Sequence, residues 1–286
     1  MAAIPYSQFG PEYSPVRYSA LDALSFCLAS RLAYAKNSRG RIARKQIKDQ
    51  IAAWGFTDVE AFEIVRGHDI DTQGFIALND DHILAAFRGT ESLPDWLTNL
   101  QAVKDPGPWQ NPEVHEGFQD AFLASALKIG ETIGRLREGQ KVWVTGHSLG
   151  GALAVLLAAS MLESGLPVHG LYTFGAPRVG DRSFADRLNG ELKGAAHWRV
   201  VNEGDLVPHV PLEAFFSHAG NRMLLRDRMT TSRSEGVWKK FKKDIWGWIG
   251  TTIGEVKLQI AGPHLLDSEN GYLQRLAAQA AKSRGI

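Results

Sequence analysis

Val142-Trp-Val-Thr-Gly-His-Ser-Leu-Gly-Gly-Ala152 decides the fold. Its opening run, Val142 to Thr145, is apolar and β-branched, as a short buried strand requires. From Leu149 to Glu163 the chain is apolar almost all round, a pattern that predicts a helix buried on every side. Between them, Gly146-His-Ser-Leu-Gly150 fits G-x-S-x-G. A serine on so sharp a strand-to-helix turn needs small neighbours, and Gly146, Gly150 and Gly151 supply them. The turn predicts that Ser148 Oγ stands above a sheet at a helix N-terminus. There the Leu149 N–H and the helix dipole would favour a developing oxyanion. A glycine-rich turn without chemistry is the plainer reading, and the strand-then-helix setting argues against it.

Outward from this turn, strands and helices alternate. Gly74 to Leu78 and His82 to Phe87 flank Asn79-Asp80-Asp81, which reads as a hairpin turn. Phe62, Ile64 and Val65 suggest a strand before it. Ser19, with Asp22 three residues on, opens a helix carrying Leu21, Leu24, Leu28 and Leu32 at helical spacing. Glu116 to Arg137 is a further helix. Leu171 to Phe174 and Trp198 to Val201 are short apolar strands. Such alternation predicts an α/β fold with a mostly parallel sheet covered on both faces.

Composition limits the function. The chain has 286 residues, 44% hydrophobic and 22% charged, so a folded core is expected rather than disorder. Net charge is +1, which argues against a dedicated nucleic-acid binder. Cys27 is the one cysteine, so neither an internal disulfide nor a multi-cysteine zinc cluster can form. The N-terminal residues lack a basic stretch followed by an apolar one, and no long uncharged apolar run follows. A cytoplasmic protein is the default expectation, with peripheral membrane association or a non-standard export route as alternatives.

A serine nucleophile needs a base and an acid to orient that base. On α/β-hydrolase sheets the chain order is Ser, then Asp or Glu, then His. Asp205 lies just past a strand, in Asn202-Glu-Gly-Asp-Leu-Val-Pro208, where such sheets place catalytic loops. Glu203 and Asp181 compete with it. Among the histidines that follow, His209 is close enough to shape the Asp205 loop. Order alone favours neither His218 nor His264.

Five stretches together carry a resemblance: Phe87 to Thr90, Val114 to Phe118, Thr145 to Ala152, Thr173-Phe-Gly-Ala-Pro-Arg-Val-Gly180, and Asn202 to Pro208. In this order they resemble the class 3 lipases, the fungal-type lipases. The likeness runs from about Gly74 to Leu273. It implies one α/β-hydrolase domain over 1–286, with a lid near 91–99 and a cap near 213–261. It implies serine hydrolysis of acyl glycerols or similar lipid esters at an oil–water or membrane interface, without metal or organic cofactor. The nucleophile role falls on Ser148, the acid on Asp205 and the base on His264. The oxyanion hole falls on Thr90 and the Leu149 N–H. His218 matches a family stretch that is not catalytic. Asn99 stands where the family often has an aspartate that holds the oxyanion side chain. Phospholipase A1, feruloyl-type esterase and acyltransferase chemistry use the same triad, and a catalytically inactive lipid-binding protein is the reading from another class. Nothing in the chain specifies an oligomeric state.

The cap region is unusual in charge. Arg222 to Asp244 holds eight Lys/Arg against three Asp/Glu. Trp238, Phe241, Ile245, Ile249, Ile253, Val256 and Ile260 recur at helical spacing, with Lys239, Lys240, Lys242 and Lys243 on other faces. This pattern suits an interfacial anchor at 238–260, in peripheral contact with anionic lipid. It equally suits a cap helix packed on the core with a solvated basic face.

Overall fold

Asn79 closes the turn between the strands Ile70 to Leu78 and His82 to Phe87. Its Oδ1 accepts the N–H groups of Asp81 and His82 at 3.1 and 2.8 Å, so the chain reverses between two strands as expected. The computed structural model describes residues 4–66, 70–90, 103–109, 111–136, 139–226 and 263–285. In chain order these form α1 (Ala20–Leu32), α2 (Arg44–Ala53), β1 (Asp58–Arg66), β2 (Ile70–Leu78), β3 (His82–Phe87), β4 (Lys104–Pro106), β5 (Glu113–His115), α3 (Glu116–Leu136), β6 (Lys141–His147), α4 (Leu149–Glu163), β7 (Gly170–Phe174), α5 (Arg182–Glu191), β8 (Ala196–Asn202), β9 (Asn221–Leu225) and α6 (Tyr272–Ser283).

The main sheet has the order β1-β2-β3-β6-β7-β8-β9. β1, β2 and β3 pair antiparallel, and every later pair is parallel. The sheet is therefore mostly parallel, and the C-terminal ends of β3, β6, β7 and β8 share one edge. Catalytic loops collect there in this architecture.

Two apolar layers cover the sheet. One holds α1, α2 and α6, with Phe26, Leu28, Ile47 and Leu276 buried against Trp143 and Tyr172. The other holds α3, α4 and α5. α4 is buried on nearly every side, as its all-round apolar pattern demands. Leu156, fully enclosed there, would cost about 2–5 kcal/mol if cut to Ala. α1 starts as its sequence predicts: Ser19 Oγ accepts the Asp22 N–H at 3.2 Å.

Within the expected cap, Asn221–Leu225 forms β9, paired parallel to β8 at the end of the sheet. A polar start, Asn221-Arg222, hides it from periodicity, because an edge strand buries only part of its length. The expected cap from 227 onward, including the 238–260 stripe, lies outside the described residues. So do the lid at 91–99 and Asn99.

Candidate active site

The serine sits on a strained turn. Ser148 has φ 58° and ψ −130°, a region costly for any residue with a Cβ. Its N–H donates to Phe174 O on β7 at 2.9 Å, which fixes the turn against the sheet. The approach is so close that a Cβ on Gly146 would lie 2.1 Å from Gly150 O. Only glycine fits, so the G-x-S-x-G spacing is a steric requirement of this elbow.

Asp205 and His264 meet at the same sheet edge. His264 Nδ1 lies 2.9 Å from both Asp205 carboxylate oxygens, and both side chains are buried. Asp205 also accepts the Val207 N–H at 3.0 Å and the Tyr272 hydroxyl at 2.6 Å. A buried carboxylate needs such donors to stay charged. With Nδ1–H turned to Asp205, Nε2 is the His264 ring nitrogen left without a partner among the described residues.

Of the three side chains expected to form the triad, two carry a buried polar atom with no partner among the described residues: Ser148 Oγ and His264 Nε2. Each orphan of this kind costs about 1–3 kcal/mol, which a protein bears where a ligand or reacting group will complete the set.

The oxyanion segment approaches from β3. Gly89 lies so near the elbow that a Cβ there would be 2.8 Å from Ser148 Cβ. Thr90 follows it directly, and Leu149 begins α4 with an N–H that the helix itself does not use. Leu149 thus adjoins Ser148 in the chain, and Thr90 adjoins Gly89 beside it.

The other candidates fall elsewhere. His218 Nε2–H donates to Pro208 O at 2.7 Å, and burial with the nearby Arg199 charge pushes its pKa down to about 3. It stays neutral as a loop support. His209 offers its carbonyl to the Arg178 guanidinium, so it does shape the loop after Asp205. Asp181 caps α5 by accepting the Phe184 N–H at 2.8 Å, and the Glu203 N–H extends the β8–β9 ladder to Leu225 O. Among the described residues, no group of three or more His, Cys, Asp or Glu is placed to hold a metal ion.

Four supporting residues escape sequence reasoning. Tyr34, just after α1, accepts the Gly89 N–H at 2.9 Å and lies 2.8 Å from His147 Nδ1. With the Tyr34 hydroxyl donating to Nδ1, His147 carries its proton on Nε2 and donates it to His264 O at 2.8 Å. Burial, and then the His264 charge, hold the His147 pKa well below its usual value, so this relay stays neutral. Asn202 Nδ2 donates to Pro263 O and Asn270 O, both at 2.8 Å, which pins the segment bearing His264 to the end of β8. The Tyr272 hydroxyl accepts the Asn202 N–H at 3.0 Å while donating to Asp205. Asn202 and His147 had a signal in sequence, inside the Asn202 to Pro208 and Thr145 to Ala152 stretches, while Tyr34 and Tyr272 had none.

Known proteins share the fold and much of the sequence around this site. The family model described as lipase (class 3) matches residues 84–215. A lipase of Rhizomucor miehei is 38% identical over 168 residues, covering 55% of this chain and 46% of that protein. A protein of Oryza sativa subsp. japonica named phospholipase A1-II 4 is 31% identical over 198 residues, covering 56% of this chain and 50% of its own. The chain spans less than half the length of the first curated relatives it matches. The solved structure of the Rhizomucor miehei triacylglyceride lipase aligns with a TM-score of 0.61 at 30% identity, over 72% of this chain and 80% of that one. The chain belongs to the class 3 lipase family, within the α/β-hydrolase superfamily.

Proposed function

We propose that the protein hydrolyses carboxylic esters of acyl glycerols or related lipids through an acyl-enzyme on Ser148. The observation that carries this reading is the pair of buried orphans, Ser148 Oγ and His264 Nε2, with the other His264 nitrogen held by Asp205. In the proposed mechanism Ser148 Oγ attacks the ester carbonyl while His264 Nε2 takes its proton. Asp205 stays ionised and stabilises the imidazolium. The Thr90 and Leu149 N–H groups, with the Thr90 hydroxyl, bind the oxyanion. His264 then protonates the leaving alcohol, and water, activated by the same nitrogen, releases the acid.

Apolar side chains near the site favour a lipid substrate. Leu265, next to His264, is 44% exposed, and Leu212 and Phe215, in the loop after Asp205, are 52% and 53% exposed. Such residues cost little if they meet an acyl chain or an interface. The basic stretch at 238–260 is the proposed peripheral contact with that interface. A phospholipase A1 is the second reading, favoured by the named rice relative. Among the described residues no helix is long and apolar enough to cross a membrane, and neither the fold nor the relatives support the cytoplasmic location expected from the N-terminus.

Side-by-side assays on emulsified triglyceride, phospholipid vesicles and soluble p-nitrophenyl esters test the reading. Turnover of emulsified triglyceride above that of phospholipid is expected. Faster phospholipid turnover would move the assignment to the second reading, and no turnover of any ester would end both.

A further inference from the structure

The β8–β9 edge carries a cluster of cations that the triad does not use. Arg199 on β8 and Arg222 on β9 are register partners in a parallel pair, so their side chains leave the same face side by side. Like charges so placed repel each other. A carboxylate would normally lie between them, yet neither arginine has an ion pair among the described residues. Arg199 Nε–H donates only to Gly220 O, at 3.3 Å. Burial, then the charges of Arg222 and Arg178, push the Arg199 pKa down to about 10.

The neighbouring cations are already engaged. Arg178 donates to His209 O, Pro211 O and, at 3.4 Å, the Glu213 carboxylate. Arg182 pairs with Asp186 along α5 at 2.9 Å. Together with Asn189 and Ser217, these arginines line a recess of about 530 Å³ between α5, the sheet edge and the loop after Asp205. Asn189 Oδ1 accepts the Gly220 N–H at 2.8 Å, which leaves its amide N–H groups as further donors.

We propose that this recess binds a phosphoryl group, held between the Arg199 and Arg222 guanidinium groups. A carboxylate has two oxygens and is satisfied by one guanidinium fork. A phosphoryl group carries more oxygens and more charge, and so bridges two forks. The site is separate from the triad, and the same chemistry could come from a lipid headgroup or from free phosphate.

Titration of the full chain with inorganic phosphate, against chloride at matched ionic strength, tests the site. Saturable binding with a rise in melting temperature is expected. Arg199→Gln and Arg222→Gln should each weaken it on the order of tenfold or more. Without phosphate, Arg222→Gln should melt no lower than the parent, because a repulsion has been removed, and its turnover of a short soluble ester should match the parent. Short-chain phosphatidate below its micelle concentration separates the sources. Displacement of phosphate marks a headgroup site, and phosphate binding without displacement marks a free-phosphate site. Absence of saturable binding by both probes, or binding undiminished in both variants, overturns the proposal.

Discussion

The triad loops and the β8–β9 edge treat charge in opposite ways. Asp205, a single buried carboxylate, receives donors from Val207, Tyr272 and His264. Arg199 and Arg222 are two cations in register, and among the described residues neither has an ion pair with a carboxylate. In the first region the carboxylate has its donors, while Ser148 Oγ and His264 Nε2 are left without a partner among the described residues. The second holds uncompensated charge and waits for a counter-ion. Preorganisation of the first kind suits chemistry, and residual field of the second kind suits binding.

The two histidines after Asp205 break or sharpen this contrast most strongly. His264→Ala should lower kcat on the order of 10⁶-fold, by analogy with other serine triads, with the fold intact by circular dichroism. His218→Ala should leave kcat within a small factor, since that ring only supports Pro208 O. Swapped effects in steady-state kinetics would remove His264 from the base role.

A smaller loss is expected at the oxyanion. Thr90→Val keeps the backbone N–H and nearly the same shape, so it should cost about 2.7–4 kcal/mol of transition-state stabilisation through the hydroxyl alone. The loss should fall on kcat and spare KM, because that bond tightens only as charge develops. Unchanged kinetics would restrict the oxyanion hole to backbone donors.

Tyr272→Phe probes the donors around Asp205. It removes one donor to the carboxylate and the acceptor of the Asn202 N–H. A stability loss of roughly 1–3 kcal/mol in chemical denaturation is expected. A variant as stable as the parent would show that water replaces the hydroxyl at no cost.

Buried histidines set a pH dependence of stability. Burial holds His197 at about 4 and His218 at about 3, and His147 well below its usual value. Their folded pKa values are lowered, so below about pH 6.5 the unfolded chain binds protons that the folded chain refuses. Their contribution is present above that pH and is lost as pH falls towards the folded values. The slope is up to about 1.4 kcal/mol per pH unit for each histidine. Denaturant melts at pH 7.5 and 5 should show the fall, and a flat profile would mean these rings titrate freely.

Sequence legibility follows the same division. The buried helix Leu149–Glu163 and the Asn79 hairpin are legible because each is fixed by local pattern, an all-round apolar run or a turn residue between two strands. β9 is not, because its exposed Asn221 and Arg222 break any alternation. α5 shows only Phe184, Ala185 and Leu188 buried, too few for its period to stand out. At the site, Ser148 and Asp205 follow from turn chemistry and chain order. Order alone could not choose His264 over His218, because the choice depends on Asn202 holding Pro263 O from 61 residues away. Tyr34 and His147 meet across 113 residues, a pairing that no local pattern encodes.

Covalent labelling reads whether Ser148 is the activated nucleophile that the proposed mechanism requires. A fluorophosphonate should modify the parent chain once, with the adduct mapped by mass spectrometry to the peptide containing Ser148. Ser148→Ala should take up no label, and His264→Ala should react far more slowly. Labelling at another residue, or a folded parent that is not labelled at all, would contradict the account.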